Sequence, residues 1–280
     1  MSPELSEKLA AAVDSMPAFP KSVQQVIELT RNLECSAKDV IRVIEKDPVL
    51  TVKVLRVVNA ASYSMPKRVQ SINHAVVYLG FHAIKHLALG IAAIGIFPAN
   101  NPAGFDGKQC LLHCLSTAGI ARQLALRVDG AEPVDCFVAG LLHDFGKLLL
   151  AQFMPQEFRQ ALEISRRDGS ALHLAVRDIV GADHASIGAM LAEKWRFPDN
   201  LVETIRHQYG PEIKDSPMIA CVFAANQIAK KLQFGFGGNL CIEELPPVLA
   251  SRLGGNLEEV QTGLGDLTPL FDEAKTFSRI

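Results

Sequence analysis

The sequence predicts an all-α protein made of two helical subdomains. Apolar residues recur at helical spacing in almost every segment, and strand-like alternation of β-branched residues is scarce. A third observation is the segment 98–107, which is dense in proline, asparagine and glycine. We place the boundary in this segment, so that residues 1–100 form the first subdomain and residues 101–280 form the second, with a C-terminal helical extension.

The composition bounds the class of protein. The chain has 280 residues, of which 49% are hydrophobic, enough to bury a sizeable core. Its 28 basic and 30 acidic residues give a net charge of −2, so no overall basic field favours nucleic acid or an anionic membrane. The N terminus lacks signal-peptide character, and the apolar stretch 87–97 is shorter than the roughly 20 residues that a spanning helix needs. We expect a soluble, cytoplasmic protein.

Helix signals in the first subdomain are local. Ser36 and Asp39 form a capping-box pattern before a helix that should stop near Asp47. Asp47 can then cap the next helix, with Pro48 in its first turn, and Asn59 is expected to cap the end of that helix. The helices predicted here cover residues 20–33, 36–47, 48–59 and 71–84.

The second subdomain shows the same helical periodicity. A glycine-rich stretch at residues 235–239 and the pair Pro246–Pro247 interrupt its C-terminal part. The helices predicted here cover residues 108–128, 133–152, 155–168, 184–195, 198–208, 216–233, 247–252 and 256–275.

The stretch Ala139–Lys147 carries the most specific chemistry. Its apolar residues lead directly into the adjacent pair His143 and Asp144, which a glycine and Lys147 soon follow. Ionisable residues seldom lie in an apolar segment unless a partner or a metal satisfies them. Imidazole and carboxylate are both good ligands for divalent transition metals. The alternative is a hydrogen-bonded cluster of His113, His143 and Asp144 in the core.

Other candidate ligands lack partners. The six cysteines include no CxxC pair, and Cys110 and Cys114 have no second ligand pair nearby in the sequence, so we interpret them as reduced structural thiols. His82 and His86 lie four residues apart on a predicted helix without a third ligand. We interpret this pair as packing or surface residues.

A series of short motifs runs through both subdomains. They are Met16–Pro20, Val26–Leu29, Ile44–Leu50, Leu55–Ala60, Ser71–Ile72, Leu79–Phe81, Gly140–Lys147, His184–Gly188 and Trp195–Pro198. In this order they resemble the HDOD domain, the HD-related output domain of bacteria, over roughly residues 16–230. The resemblance implies a helical fold and a role as a signal-transduction module.

The histidines of the second subdomain resemble ligands of the HD metal-dependent phosphohydrolases. His143 and Asp144 match the pair that names this superfamily, and His113 lies in a segment similar to the helix that supplies its first ligand. His184 and His207 resemble the additional histidines of the HD-GYP phosphodiesterases, which cleave cyclic di-GMP. The resemblance implies a divalent metal, for which Fe, Mn, Zn and Ni stay open.

The same resemblance assigns a role to Lys147 and reveals departures from the family pattern. Lys147 matches the lysine that contacts phosphate, so Lys147 and Asp144 are the implied catalytic residues. The final ligand of the family is an aspartate, for which this chain has Asn226, and an amide oxygen binds a hard cation without contributing charge. Gln208 stands in place of a second histidine after His207, and no GYP segment follows.

Two functions of different classes stay open. The first is a non-catalytic signalling module that works with protein partners in trans and retains a partial HD metal site. The second is a metal-dependent phosphohydrolase or cyclic-nucleotide phosphodiesterase, in which the metal activates water and Lys147 neutralises the phosphate. A third possibility is a relic site where a metal or an anion only stabilises the fold. A phosphate-containing ligand is compatible with each, and we expect no membrane or nucleic-acid partner.

Overall fold

A computed structural model of the chain describes residues 3–16, 21–22, 25–26, 36–59, 68–81, 84, 87–88, 91, 101–210 and 213–278. The described residues contain helices and no β-strand, which confirms the all-α prediction. Among the same residues, no helix is both long enough and apolar enough to cross a bilayer.

The described residues form fifteen helices. In chain order they are α1 (Pro3–Ser15), α2 (Ala37–Glu45), α3 (Pro48–Val58), α4 (Ile72–Leu79), α5 (Gly107–Ala125), α6 (Pro133–Leu142), α7 (Phe145–Phe153), α8 (Pro155–Asp168), α9 (Leu172–Val180), α10 (His184–Lys194), α11 (Asp199–Arg206), α12 (Pro217–Lys231), α13 (Pro247–Leu253), α14 (Leu257–Leu264) and α15 (Thr268–Ser278).

The described residues group into two compact units. One unit combines residues 1–16 with residues 98–280, and the other comprises residues 17–97. The helix α1 therefore groups with the larger unit, whereas the sequence analysis assigned it to the first subdomain. The division of the protein into domains at residue 100 stays a prediction.

The described helices of the smaller unit, α2, α3 and α4, begin where the local signals indicated. The carboxylate of Asp47 accepts a hydrogen bond from the Leu50 amide at 3.0 Å, so Asp47 caps α3 as expected. The side-chain amide of Asn59 donates to the Leu55 carbonyl at 2.7 Å and closes the other end of α3. The next helix, α4, ends at Leu79 and not near residue 84, because Gly80 adopts a positive φ of 83°. The predicted helix 20–33 lies largely outside the described residues.

Two predicted helices of the larger unit are each divided in the structure. The prediction of one helix over residues 133–152 is wrong, because the chain leaves helical geometry at Asp144, directly after His143 and between α6 and α7. The side chain of Gln208 donates to the His143 carbonyl at 2.8 Å and replaces an intrahelical partner. The predicted helix 256–275 is likewise divided at Gly265, whose φ is 74°. Two helices, α1 and α9, were not predicted.

The core of the larger unit is built around α5 and α12, which are buried along most of their length. Close helix packing relies on glycine at two positions. A Cβ atom at Gly140 of α6 would lie 2.9 Å from the Ala118 Cα atom of α5. A Cβ atom at Gly146 of α7 would lie 1.8 Å from the His184 carbonyl oxygen of α10. These contacts bring four helices together around the pair His143 and Asp144.

Candidate functional site

A cluster of polar side chains lies in the core of the larger unit. It contains His113 from α5, His143 and Asp144 from the junction of α6 and α7, His184 from the start of α10, and Asn226 from α12. Each of these residues is at most 1% exposed. At the junction of α6 and α7 two adjacent ionisable side chains, His143 and Asp144, therefore point into the core. Buried polar groups require partners there.

The carboxylate of Asp144 is the centre of this cluster. Its Oδ2 atom lies 2.7 Å from Lys147 Nζ, 3.3 Å from His143 Nε2 and 3.7 Å from His113 Nε2. Its Oδ1 atom lies 3.5 Å from His184 Nε2 and has no hydrogen-bond partner among the described residues. One buried carboxylate thus faces three imidazoles and one ammonium group.

The ring of His143 is oriented in the manner of a metal ligand. Its Nδ1 atom lies 2.6 Å from the Gly140 carbonyl oxygen, which can only accept, so Nδ1 carries the donated proton. In the neutral ring Nε2 then presents a lone pair, and this atom faces Asp144 without a hydrogen-bond partner among the described residues. Two lone pairs at 3.3 Å repel each other unless a cation or proton lies between them. A backbone carbonyl that fixes the tautomer is typical of metal-ligating histidines.

The amide of Asn226 is oriented by Tyr209. Its Nδ2 group donates to the Tyr209 hydroxyl at 2.7 Å, and its Oδ1 atom therefore points at His113 Nε2 at 3.1 Å. An acceptor oxygen is thus presented to the cluster by the residue that the sequence analysis expected to replace the final aspartate ligand. The distance is a hydrogen bond when His113 Nε2 carries the proton, and it also suits two ligand atoms of one metal ion.

The cluster favours neutral imidazoles. Burial lowers the pKa of His113 to about 3 and the pKa of His184 to about 4, even though Asp144 opposes both shifts. Burial alone would raise the pKa of Asp144, but His143, Lys147 and His184 together hold it well below its ordinary value. Neutral imidazole and ionised carboxylate are the forms that coordinate a metal.

These residues fit a divalent transition metal. The ligand atoms of His113, His143 and Asp144 all lie within 4.8 Å of one another. Several buried atoms that face Asp144 have no hydrogen-bond partner among the described residues, including His143 Nε2 and His184 Nε2. A bound metal ion would satisfy such atoms.

The glycine-rich segment, residues 235–239, covers the cluster. The Gly237 carbonyl accepts a hydrogen bond from Lys147 Nζ at 2.7 Å, and the Phe236 amide donates to the Gln109 carbonyl at 3.0 Å. A Cβ atom at Gly237 would lie 2.8 Å from His113 Cδ2 and 3.0 Å from Asp144 Oδ2. Only glycine allows the backbone to approach the cluster this closely.

The structure does not bring His207 into the cluster, although the sequence analysis proposed it as a ligand. The side chain of His207 is 31% exposed and lies 3.4 Å from Glu203 at the end of α11. Its neighbour Gln208 is buried instead and donates to the His143 carbonyl. Both residues follow the end of α11, where the chain turns, and their side chains point in different directions. The pair His82 and His86 lies outside the described residues.

Four residues near the cluster were not assigned a role from the sequence. They are Gly237, Tyr209, His173 and Lys230. The ring of His173 stacks on the ring of Tyr209 with centroids 4.5 Å apart. Lys230 Nζ donates to the Cys241 carbonyl at 3.3 Å, and burial lowers its pKa to about 8. The glycine-rich composition of residues 235–239 was the one local signal that could have identified the covering segment.

Comparisons with known proteins agree with this architecture. The HDOD domain model matches residues 16–211. The "Putative phosphohydrolase" of Shewanella amazonensis SB2B has a similar structure, with a TM-score of 0.74 and 26% identity over 96% of this chain and 97% of its own. The "Putative signal transduction protein" of Marinobacter aquaeolei VT8 has a TM-score of 0.72 and 25% identity, covering 98% of this chain and 65% of its own.

A relative without a described role comes from Treponema pallidum (strain Nichols). It is 26% identical over 252 residues, which make up 89% of this chain. The chain spans 48% of the length of that relative, about half.

Proposed function

Because the chain belongs to the HDOD family, we propose that it is a bacterial signal-transduction module that retains a partial HD metal site without catalysing hydrolysis. The observation that carries the proposal is the covering of the cluster by the glycine-rich segment. Asp144 and His143 are 0% exposed beneath it, and Lys147 pairs with Asp144 from inside. A phosphate ester cannot reach a metal ion there unless the segment moves.

The ligands proposed for the metal are His113, His143 and Asp144, with Asn226 as a neutral oxygen donor. His184 faces the other oxygen of Asp144 and completes or orients the set. When bound, the metal would supply Lewis acidity and a fixed positive charge. Asn226 cannot supply the negative charge of the aspartate that is the final ligand in the family pattern, which reduces the ability of the site to hold and activate water.

The proposed partners are signalling proteins that act in trans, and a phosphate-containing ligand is the small molecule that suits the site best. Lys147 is the group that would bind such an anion, because it lies beside Asp144 and now donates to a backbone carbonyl. A carbonyl oxygen and a phosphate oxygen are both acceptors for an ammonium group. Cytoplasmic localisation remains part of the proposal.

The second candidate is a metal-dependent phosphohydrolase. Two observations favour it: the tautomer of His143 is fixed by the Gly140 carbonyl, and the Shewanella neighbour bears a phosphohydrolase name. In that reaction Lys147 would leave Gly237 and contact the phosphate, while Asp144 would help to orient the attacking water. This function requires that the glycine-rich segment opens.

Metal analysis combined with hydrolysis assays tests the proposal. We expect near-stoichiometric metal in the purified protein, loss of most of it in His143→Ala, and no hydrolysis of p-nitrophenyl phosphate or cyclic di-GMP by either protein. The imidazole supplies one of the few ligands, and even outer partners of such ligands change metal affinity roughly 10–100-fold. Elemental analysis and phosphate release are the measurements, with circular dichroism to verify the fold.

His207→Ala is the matched control for the metal measurement. It removes a histidine from the neighbouring helix end, where the ring is partly exposed and pairs with Glu203. We expect it to keep its metal. Metal-dependent hydrolysis by the wild type would overturn the non-catalytic proposal in favour of the second candidate, and loss of metal in His207→Ala would restore His207 to the ligand set.

Gly237→Ala is expected to loosen the covering segment. The added Cβ would meet His113 and Asp144 at 3.0 Å or less, and both side chains are buried. Overpacking of this kind costs about 1–3 kcal/mol, which corresponds to roughly 5–150-fold faster amide exchange in the segment. Hydrogen–deuterium exchange at Phe236 is the measurement.

Gly263→Ala provides the control for this substitution. Gly263 lies in α14, and its nearest added contact is an ordinary 3.6 Å from Arg127. We expect unchanged exchange at Phe236 in this variant. If Gly237→Ala also leaves that exchange unchanged, the glycine-rich segment does not depend on its close contact with the cluster.

A further inference from the structure

A cleft of about 780 Å³ lies in the larger unit, outside the histidine–aspartate cluster. Its walls are α8, the start of α5 with the turn before it, and the glycine-rich segment with the residues that follow it. The volume falls within the range of about 300–1,000 Å³ that small-molecule sites occupy. None of the proposed metal ligands lines the cleft, so it is distinct from the site described above.

The glycine-rich segment is a wall shared by the cleft and the cluster. Phe236 and Gly238 line the cleft. Gly237, which lies between them in the chain, packs instead against His113 and Asp144. A molecule that occupies the cleft therefore touches the segment that covers the proposed metal site.

We propose that the cleft binds a nucleoside phosphate, and that the bound nucleotide holds the glycine-rich segment closed over the cluster. The binding site goes beyond the proposed function, because it requires no metal. Its effect on the cluster rests on that function, in which the segment controls access to the metal.

Two arginines supply the positive charge that a phosphate requires. Arg159 and Arg166 line the cleft, and their spacing of seven residues on α8 puts them on one face of the helix, about 10 Å apart along its axis. The guanidinium of Arg159 donates to the Pro102 carbonyl at 2.9 Å, which leaves most of its N–H donors free. Arg166 pairs with no carboxylate among the described residues. Guanidinium groups bind phosphate oxygens through charge-assisted, often paired hydrogen bonds.

The two carboxylates that line the cleft are compatible with a nucleotide. Asp106 is already engaged, because its side chain accepts hydrogen bonds from the Lys108 and Gln109 amides at 3.1 and 3.0 Å and caps α5. Glu163 is exposed on α8, between the two arginines in the sequence. A carboxylate there repels free phosphate but accepts hydrogen bonds from ribose hydroxyl groups. The charges of the cleft therefore favour a sugar phosphate over an inorganic anion.

Apolar side chains provide a surface for the base. Phe236 is 39% exposed and Leu240 is 54% exposed, although both are large apolar residues. Phe105 also lines the cleft, and its edge-to-face contact with Phe158, at 5.3 Å between ring centroids, fixes its ring. A base that stacks on Phe236 removes apolar surface from water and pairs two planar π systems.

Binding in the cleft would stabilise the closed segment. The Phe236 amide donates to the Gln109 carbonyl at 3.0 Å, and the Gly237 carbonyl accepts from Lys147. Opening of the segment breaks these hydrogen bonds and withdraws the ring of Phe236 from the base. A ligand that binds only the closed form suppresses opening in proportion to its concentration relative to its Kd. The nucleotide concentration would thereby control access to the cluster.

Calorimetric titration of the metal-depleted full chain tests the binding site. The probes are the mono- and diphosphates of adenosine, guanosine, cytidine and uridine, with inorganic phosphate and the free nucleosides for comparison. We expect at least one nucleotide to bind, and its nucleoside and inorganic phosphate to bind at least about tenfold more weakly, because each makes only part of the contacts. Arg166→Ala and Phe236→Ala should each weaken the nucleotide about tenfold or more.

Arg167→Ala is the matched control. Arg167 is adjacent to Arg166 on α8, pairs with Asp168 at 2.7 Å and does not line the cleft. The control removes the same charge from the same helix, so it measures the general electrostatic attraction. We expect it to keep the wild-type affinity. Circular dichroism of all variants checks that the helices are intact.

Hydrogen–deuterium exchange at Phe236 tests the effect on the segment. With the nucleotide at about ten times its Kd, we expect the exchange of this amide to slow about tenfold. The Val260 amide, which donates to the Asn256 carbonyl in α14 outside the cleft, should keep its rate. Unchanged exchange at Phe236, or equal slowing at both amides, would overturn the specific hold on the segment.

The outcomes separate this inference from the proposed function. No binding of any of these nucleotides, inorganic phosphate bound as tightly as the nucleotide, or no larger loss in Arg166→Ala than in Arg167→Ala would overturn the nucleotide site. Binding that appears only after metal is restored would place the ligand at the cluster, which overturns this inference and leaves the proposed function intact. A wild type that holds no metal but binds the nucleotide would overturn only the proposed function.

Discussion

Gly146→Ala is expected to destabilise the protein by at least about 3 kcal/mol or to prevent folding. The added Cβ would lie 1.8 Å from the His184 carbonyl oxygen and 2.8 Å from the Gly188 amide nitrogen. Both are backbone atoms, so rotation of a side chain cannot relieve the contact, and α7 would have to separate from α10. Urea unfolding followed by circular dichroism measures the change in free energy.

Two other glycines calibrate this prediction. A Cβ at Gly188 would lie 3.1 Å from the Gly146 amide nitrogen and 3.4 Å from an Ile205 methyl group, so Gly188→Ala should cost about 1–2 kcal/mol. Gly263→Ala meets only an ordinary contact in α14 and should be neutral or stabilising by up to about 1 kcal/mol. Equal effects at Gly146 and Gly263 would contradict the close crossing of α7 and α10.

Lys147→Met is expected to lower the free energy of unfolding of the metal-free protein by about 3–5 kcal/mol. The substitution removes the ammonium group 2.7 Å from Asp144 Oδ2 and leaves a buried carboxylate without its cation. The methionine keeps most of the volume, so the loss reports charge and not a cavity. Denaturant unfolding in the presence of a chelator is the measurement.

The double variant Asp144→Asn/Lys147→Met is expected to recover more than half of that loss. Removing both members of a buried ion pair eliminates the unpaired charge, whereas removing one member exposes its full desolvation penalty. The single variant Asp144→Asn completes the double-mutant cycle. Additive losses in the cycle would show that the two side chains are energetically independent.

The same pair should also be visible in the pH dependence of stability. The pKa of Asp144 is held well below its ordinary value of 3.8, so the contribution of its charge to stability is fully present above pH 3.8 and is lost as pH falls through the native pKa. Asp144→Asn should therefore flatten the decline in stability of the metal-free protein at acidic pH.

Local sequence patterns predicted a large part of this fold. The caps at Asp47 and Asn59 were correct because the residues that form each cap lie close together in the chain. The stretch around His143 and Asp144 was identified because ionisable residues in an apolar run require an explanation. The resemblance to the HDOD domain agrees with the family model that matches residues 16–211.

Other features depend on contacts between distant parts of the chain. The interruption between α6 and α7 is supported by Gln208, which lies 65 residues away, and the contact between His113 and Asn226 spans 113 residues. The sequence periodicity gave no reason to exclude His207, because its exclusion depends on how α11 packs. The proximity of Cys110 and Cys114 to Asp144 was equally hidden, because Asp144 lies on a different part of the chain and only the packing of the helices brings the three side chains together.

The sequence by itself determined that this protein is helical, where many of its helices begin, and that a histidine–aspartate pair lies in an apolar segment. These properties follow from backbone propensity and hydrophobic periodicity, which act over a few residues. Only the tertiary structure decided which side chains meet Asp144 and that the glycine-rich segment covers them. Those contacts join elements separated by tens to more than a hundred residues, and the packing of these elements against one another sets their geometry.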